Sequence, residues 1–205
     1  MALLRPSPPS LLEDGPSDLA TLYAKLDSAE SPVRRAAARA LSNHPEAAMR
    51  LCDRLEVETS PSVRAVLFTS LIRLECSEVV TRLIGHLRSE DAALRNGAIE
   101  ALQEMRASVT AHVRDLLDDG DSDVRIFAVN ILGALCDPET PALLAAIVEH
   151  EPHVNVCAAA VDALAEVGGP EAVGPLRALR GRFADEPFMT FAIDTAIRRV
   201  RGEAS

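Results

Sequence analysis

The chain has 205 residues, a formal net charge of -10, and 48% apolar residues, yet aromatics make up only 3% and Trp is absent. That apolar share suffices for a continuous core, which must be built from Ala, Leu and Val. An acidic chain does not offer the clustered Lys and Arg that release counterions from a phosphate backbone, so nucleic acid and anionic membrane are poor partners.

In chain order, residues 1–16 carry Pro6, Pro8, Pro9 and Pro16 among Ser and Gly, a composition that predicts a flexible tail. From residue 17 the pattern is helical throughout, in pairs. The expected pairs are 17–26 with 32–42, 45–55 with 61–74, 78–87 with 91–105, 108–117 with 121–135, 138–149 with 153–167, and 170–182 with 186–201. They define one repeat domain over 17–205, with repeats near 17–44, 45–75, 76–106, 107–136, 137–168 and 169–205. Pro45, Pro138 and Pro170 are placed at helix starts, where a missing N–H costs nothing. Gly168-Gly169-Pro170 is a break between helices. Cys52, Cys76, Cys136 and Cys157 show no CxxC spacing and read as free thiols of a cytoplasmic protein. The N-terminus has no signal-peptide apolar segment, and no run approaches the ~18 apolar residues of a membrane span.

The second helix of each pair repeats one pattern. Anchored on an apolar residue, it runs Val33, Val63, Leu94, Val124, Val156, Phe188, with 30 to 32 residues between anchors. Four residues after each anchor stand Ala37, Leu67, Ala98, Ala128, Ala160 and Ala192; four further on stand Leu41, Leu71, Leu102, Leu132, Leu164 and Ala196. Offsets of four share a helical face, so this stripe is the expected core. A fixed period in this range marks a stacked repeat array.

Asp137-Pro-Glu-Thr-Pro-Ala-Leu-Leu144 and Gly169-Pro-Glu-Ala-Val-Gly-Pro-Leu176 resemble the first helix of HEAT-like repeats, and Asp121-Ser-Asp-Val-Arg125 with Ala128 and Leu132 resembles the second. The subtype is similar to the short bacterial repeat of phycobilisome bilin lyases. The resemblance covers about residues 17–201. It implies an all-α, right-handed α-α superhelix (a HEAT-like solenoid) of about six helical hairpins. It also implies a structural role for the Arg that follows the anchor, at Arg34, Arg64, Arg95 and Arg125, bridging adjacent repeats, with Glu30, Asp91 and Asp121 as the expected carboxylate partners. The column stops at Cys157 and Met189, which predicts a weaker joint at repeat five and a capping change at repeat six.

Other positions of the second helices point toward the expected inner face. Arg35, Arg39, Thr69 and Arg73 open it; Asn96, Glu100, Glu104, Asn130, Asp162, Glu166 and Asp194 continue it with acidic character. These residues are the candidate binding surface for a protein partner with a basic or bipolar surface, because solenoids commonly use their concave side. Ile72 and Ile126 are candidate apolar anchors there. Catalytic residues are not expected: there is no Gly-x-Ser-x-Gly elbow and no Gly-rich phosphate loop. His150, His153 and Cys157 offer too few ligands for a closed zinc site, so neither metal nor cofactor is expected. The HEAT-like iron hydroxylases carry several His-Glu pairs, and this chain has one; the HEAT-like DNA glycosylases use a basic, aromatic groove, which this chain also lacks. The primary expectation is a non-catalytic interaction scaffold. Resemblance to bilin lyase subunits implies the alternative, a subunit or accessory chaperone that assists cofactor attachment or assembly of a partner protein.

Overall fold

A computed structural model describes residues 18–135 and 137–203; the Pro-rich tail and Cys136 lie outside the described residues. Those residues form twelve α-helices and no strand. In order they are α1 (Leu19–Leu26), α2 (Ser31–Leu41), α3 (Ala48–Val57), α4 (Pro61–Leu74), α5 (Ser77–Gly85), α6 (Ala92–Glu104), α7 (Arg106–Leu117), α8 (Ser122–Ala134), α9 (Thr140–His150), α10 (Val154–Val167), α11 (Val173–Arg182) and α12 (Pro187–Val200). Pro45 and Pro170 head short 3-10 turns that lead into α3 and α11, so those α-helices begin three residues later than the prolines suggest. The chain divides into two compact units, up to Ser70 and from Leu71, with the division inside α4.

In the first unit α1 packs on α2, burying Leu22 and Leu26 with Ala37, Ala38 and Leu41. Leu51, Leu55, Val63 and Leu67 complete the interior. Ser70 ties α4 to α2 by donating its hydroxyl to Ala38 O at 3.0 Å. A charged clamp sits beside this core. Arg34 donates Nε and Nη2 to Glu58 Oε2 and Oε1 at 2.8 and 2.7 Å, and Nη1 to Ser28 O and Ala29 O at 2.9 Å each. Glu58 has no exposed surface, and it also accepts from Arg54 and from the Thr59 and Ser60 amides. The Arg34 guanidinium, chiefly, holds the Glu58 carboxyl down at about 2.

The second unit is built as two rows. The inner row runs α6, α8, α10, α12, each touching the next; in the outer row α5 touches α7 and α9 touches α11. Leu94, Ala98 and Leu102 of α6, Val124, Ala128 and Leu132 of α8, and Val156, Ala160 and Leu164 of α10 are all buried, and Val80, Val113, Leu144 and Leu176 meet them from the outer row. Apolar burial is worth roughly 25 cal/mol per Å², so this buried Ala/Leu/Val stripe stabilises the second unit.

The register breaks in α12. Phe188, the expected anchor, is 55% exposed, whereas Met189 is 0% exposed and Ile193, Ile197 and Val200 follow it inward. The cause lies at the helix start. In α2, α4, α6, α8 and α10 the anchor is the third helical residue; α12 starts at Pro187, so its third residue is Met189. Pro is well suited to the first helical position and fixes that start. In the first unit, the anchor Val33 of α2 is only half-buried.

The carboxylate partners of the Arg column also differ from expectation. Arg125 bonds Glu151 through Nε and Nη2, each at 3.0 Å, and reaches Asp119 O at 2.8 Å. Glu58 and Glu151 each stand five residues before the next anchor, not three. The closer position is taken up by helix capping: Asp91 accepts from the Ala93 and Leu94 amides, and Asp121 from the Asp123 amide. Glu30 stands at the N-cap of α2 without a side-chain cap bond. Arg64 donates to Glu58 O at 2.6 Å. Arg95 donates to Ser89 O at 2.7 Å and lies 5.8 Å from the Phe127 ring centroid, a cation–π contact.

At Cys157 the missing guanidinium arrives from the other side. Arg182, the last residue of α11, donates to Val148 O at 2.9 Å, to Glu149 O at 2.8 Å and to Glu151 O, and lies 3.5 Å from Cys157 Sγ. The joint expected to be weak is therefore closed by four contacts from a residue that sequence spacing does not align with the column.

A candidate partner-binding groove on the inner helices

The inner row of the second unit encloses an open groove of about 980 Å³, lined by α6, α8, α10 and α12. Its floor is Ile99, Gly133, Ala134, Ala159, Ala163 and Ala192. Small residues let α8 and α10 approach closely: a Cβ added at Gly133 would stand 3.2 Å from Ala163 Cβ. The same small residues leave depth above the helices. One wall is α12, where Pro187 at the helix start turns Phe188 and Phe191 outward, at 55% and 71% exposure.

The edges are polar. Gln103 donates its amide to Asn130 O at 3.2 Å, linking α6 to α8. Glu166 of α10 and Arg199 of α12 form an ion pair at 2.7 Å along the edge. Both are about half-exposed, so the pair contributes little stability, about 0–1 kcal/mol. Asp162 lines the groove from α10 and is exposed. Beside the groove, Glu100, Gln103, Glu104, Arg106 and Ala134 line a smaller depression of about 590 Å³.

The residues expected on the binding surface thus separate. Asn130, Asp162 and Glu166 come together in the groove, and Glu100 and Glu104 lie in the adjoining depression. Asn96 is exposed on α6 but lines neither. Asp194 points to the outer row: Arg180 of α11 donates to it at 2.8 and 3.2 Å. Arg35, Arg39 and Thr69 are exposed in the first unit, where Thr69 donates its hydroxyl to Ala65 O. Arg73 is exposed at the end of α4. Ile72 and Ile126 are half-buried and do not line the groove. Phe188, Phe191 and Arg199 were not expected there. Pro187 carries the signal that would have found them, because counting the helix from it moves every α12 offset by one.

In the His150/His153/Cys157 segment the bonds run to neighbouring backbone and to Glu151. Cys157 Sγ donates to Glu151 O at 3.2 Å, and the His153 amide donates to Glu151 Oε1 at 2.8 Å. His150 Nδ1 lies 3.0 Å from Ala146 O. Burial, above all, pushes the Cys157 thiol up, away from the thiolate that a metal or a nucleophilic reaction requires. Burial also opposes ionisation of Glu151, but the bonds from Arg125 and the His153 amide outweigh it and hold the carboxyl below its ordinary range. Among the described residues no three His, Cys, Asp or Glu side chains are grouped to hold a metal ion. No helix among them is long and apolar enough to cross a membrane.

Residues 110–187 match the family described as HEAT repeats, covering α8, α9, α10 and α11. The described residues are all-α and built from successive helical pairs, and over residues 110–187 those pairs are similar to HEAT repeats. A relative, the uncharacterized phycocyanin operon protein Z of Pseudanabaena tenuis, is 35% identical over 104 residues, which is 46% of this chain and 50% of the relative. The chain therefore matches about half the length of that curated relative. Among solved structures, the complex of CpcE and CpcF of phycocyanin lyase from Nostoc is similar at 17% identity and a TM-score of 0.40, over 96% of this chain and 100% of that one. A designed armadillo repeat protein is similar at 16% identity and a TM-score of 0.40, over 90% and 100%.

Proposed function

We propose that this chain is a non-catalytic adaptor that holds a partner protein in the groove of α6, α8, α10 and α12. One observation carries the reading: two strongly exposed phenylalanines stand over a floor of Ala and Gly, in a chain with only five Phe in all. Exposed aromatics beside an apolar recess are the usual energetic centre of a protein interface. Asp162, Glu100 and Glu104 give the surface acidic character and favour a partner with basic groups. Neither a membrane nor a nucleic acid suits such a groove, and a cytoplasmic protein whose Cys52, Cys76 and Cys157 form no disulfide fits the reading.

The test is affinity capture from native lysate with the wild-type chain and with the double variant Asp162→Lys/Phe191→Ser. Both positions are exposed, so helicity by circular dichroism should be unchanged. A specific partner held by the wild type and lost by the variant is the expected result. A partner retained equally by both would overturn the assignment to this groove. Asp194→Lys serves as a comparison, since it breaks the Arg180 bond and leaves the groove lining intact.

The relative named for a phycocyanin operon favours a second reading, in which the adaptor is a bilin lyase-like subunit or chaperone assisting cofactor attachment to its partner. Mixing the chain with a free bilin should then produce a shifted visible absorbance band. An unchanged bilin spectrum with and without the captured partner would count against it.

A further inference from the structure

We infer that the occupant of the groove is an amphipathic helix whose apolar stripe is flanked by Lys or Arg; this rests on the adaptor reading and specifies its partner. Three observations lead there.

The first is hydrogen bonding. The floor residues Ile99, Gly133, Ala134, Ala159, Ala163 and Ala192 carry no side-chain donor or acceptor. Their backbone groups belong to helices. An extended segment laid on that floor would bury its own N–H and C=O groups unpaired, at about 1–3 kcal/mol each in general experience. A helix satisfies its backbone internally and presents only side chains.

The second is dimension. Four adjacent inner helices span three interaxial gaps of about 8–10 Å each, roughly 24–30 Å in all. A helix of about 18 residues is ~27 Å long and lies across that row. The shallow side chains of the floor leave room for long ones from the partner, so Leu, Met or Phe at helical spacing would fill it, against the Phe188 and Phe191 wall.

The third is charge. Within the groove Arg199 is paired to Glu166, so the cation is already neutralised. Asp162 beside it, and Glu100 and Glu104 next to the α6 end, are exposed carboxylates with no ion-pair partner among the described residues; Arg106 lines the same depression as the two glutamates, and the three carboxylates against that one cation leave these surfaces net negative. A basic flank on the docking helix complements them, and an acidic flank is repelled.

The experiment uses the full chain, isotope-labelled for amide NMR, and three synthetic peptides of about 18 residues. One carries Leu at helical spacing with Lys flanks. The second replaces each Lys by Glu. The third has the composition of the first, reordered so that apolar and polar residues alternate as in an extended strand. The Leu/Lys helix should shift the Ala159 and Ala163 amides, and its affinity should fall with added salt. Asp162→Lys should weaken it about tenfold at low salt, and Phe188→Ala/Phe191→Ala about thirtyfold. Tighter binding of the Leu/Glu helix by Asp162→Lys than by the wild type would be the matching gain.

Equal binding of the Leu/Lys and Leu/Glu helices by the wild type would overturn the charge selectivity. Equal or tighter binding of the reordered peptide at the same amides would overturn the helical occupant and leave the adaptor reading standing. No shift of the groove amides by any peptide would overturn the inference outright, while the capture experiment decides the adaptor reading independently.

Discussion

Replacing Glu58 by Gln tests the charged clamp of the first unit with little change of shape. The carboxylate is fully buried and accepts two bonds from Arg34, two from Arg54 and two from backbone amides. Bonding to Arg34, above all, lowers its pKa from an ordinary 4.5 to about 2. Each unit of difference between folded and unfolded states is worth about 1.4 kcal/mol, so ionisation contributes about 3 kcal/mol at neutral pH. The sign follows from the direction. A depressed pKa stabilises the fold fully above the unfolded value, and the contribution is lost as pH falls from about 4.5 toward about 2. Gln keeps the size but removes the charge, so Glu58→Gln should cost about 3 kcal/mol at neutral pH and show a flatter acid limb than the wild type. The assay is urea unfolding followed by fluorescence of Tyr23, the only Tyr, which sits in α1 of this unit. Parallel acid limbs for variant and wild type would refute the assignment of this acid sensitivity to Glu58.

Three further outcomes follow from the second unit. Met189→Ala should cost about 2–5 kcal/mol, as for a fully buried side chain, whereas Phe188→Ala should stay within about 0.5 kcal/mol; equal costs in thermal melts would refute the register of α12. Arg182→Ala should leave the Val148, Glu149 and Glu151 carbonyls without their guanidinium partner, costing about 1–3 kcal/mol and speeding amide exchange in α11 and α12 relative to α6. Gly168→Ala would bring a Cβ to 2.5 Å from Leu164 O, so the α10 terminus must shift; a loss above about 1 kcal/mol is expected in denaturant unfolding, and an unchanged midpoint would refute the close approach.

Periodicity made the fold readable because the same physical demand recurs in each repeat. Val63, Leu94, Val124 and Val156 are buried third residues of their helices, and the Ala and Leu that follow at offsets of four go inside with them. What periodicity could not supply was the partner of each buried cation. Glu58 and Glu151 are contributed by the following repeat, and which carboxylate meets Arg34 or Arg125 depends on the path of the connecting loop, not on helical spacing. The nearer acids Asp91 and Asp121 looked equally suited, but their short side chains are taken by their own helix N-termini. Arg182 is further still from legible, since it reaches Cys157 from the end of the opposite helix. The groove was half readable: offsets gave Asn130, Asp162 and Glu166, while the apolar wall was hidden by a single misplaced helix start.

That start links the fold to the site. One residue rotates a helix by about 100°. Beginning α12 at Pro187 instead of Glu186 therefore turns the helix by about that angle, although Ala196 stays buried. Met189 fills the core position that Phe188 would otherwise take, and the two phenylalanines emerge over the groove. Asp194 moves to the outer row against Arg180, and Arg199 comes round to Glu166. A flexible Met adapts to the small-residue interior of this repeat more readily than a rigid Phe ring would. The aromatic surface is thus a consequence of where a proline fixes the first turn, and the carboxylates already present on α10 become the edge of a groove only because α12 stands in that rotation.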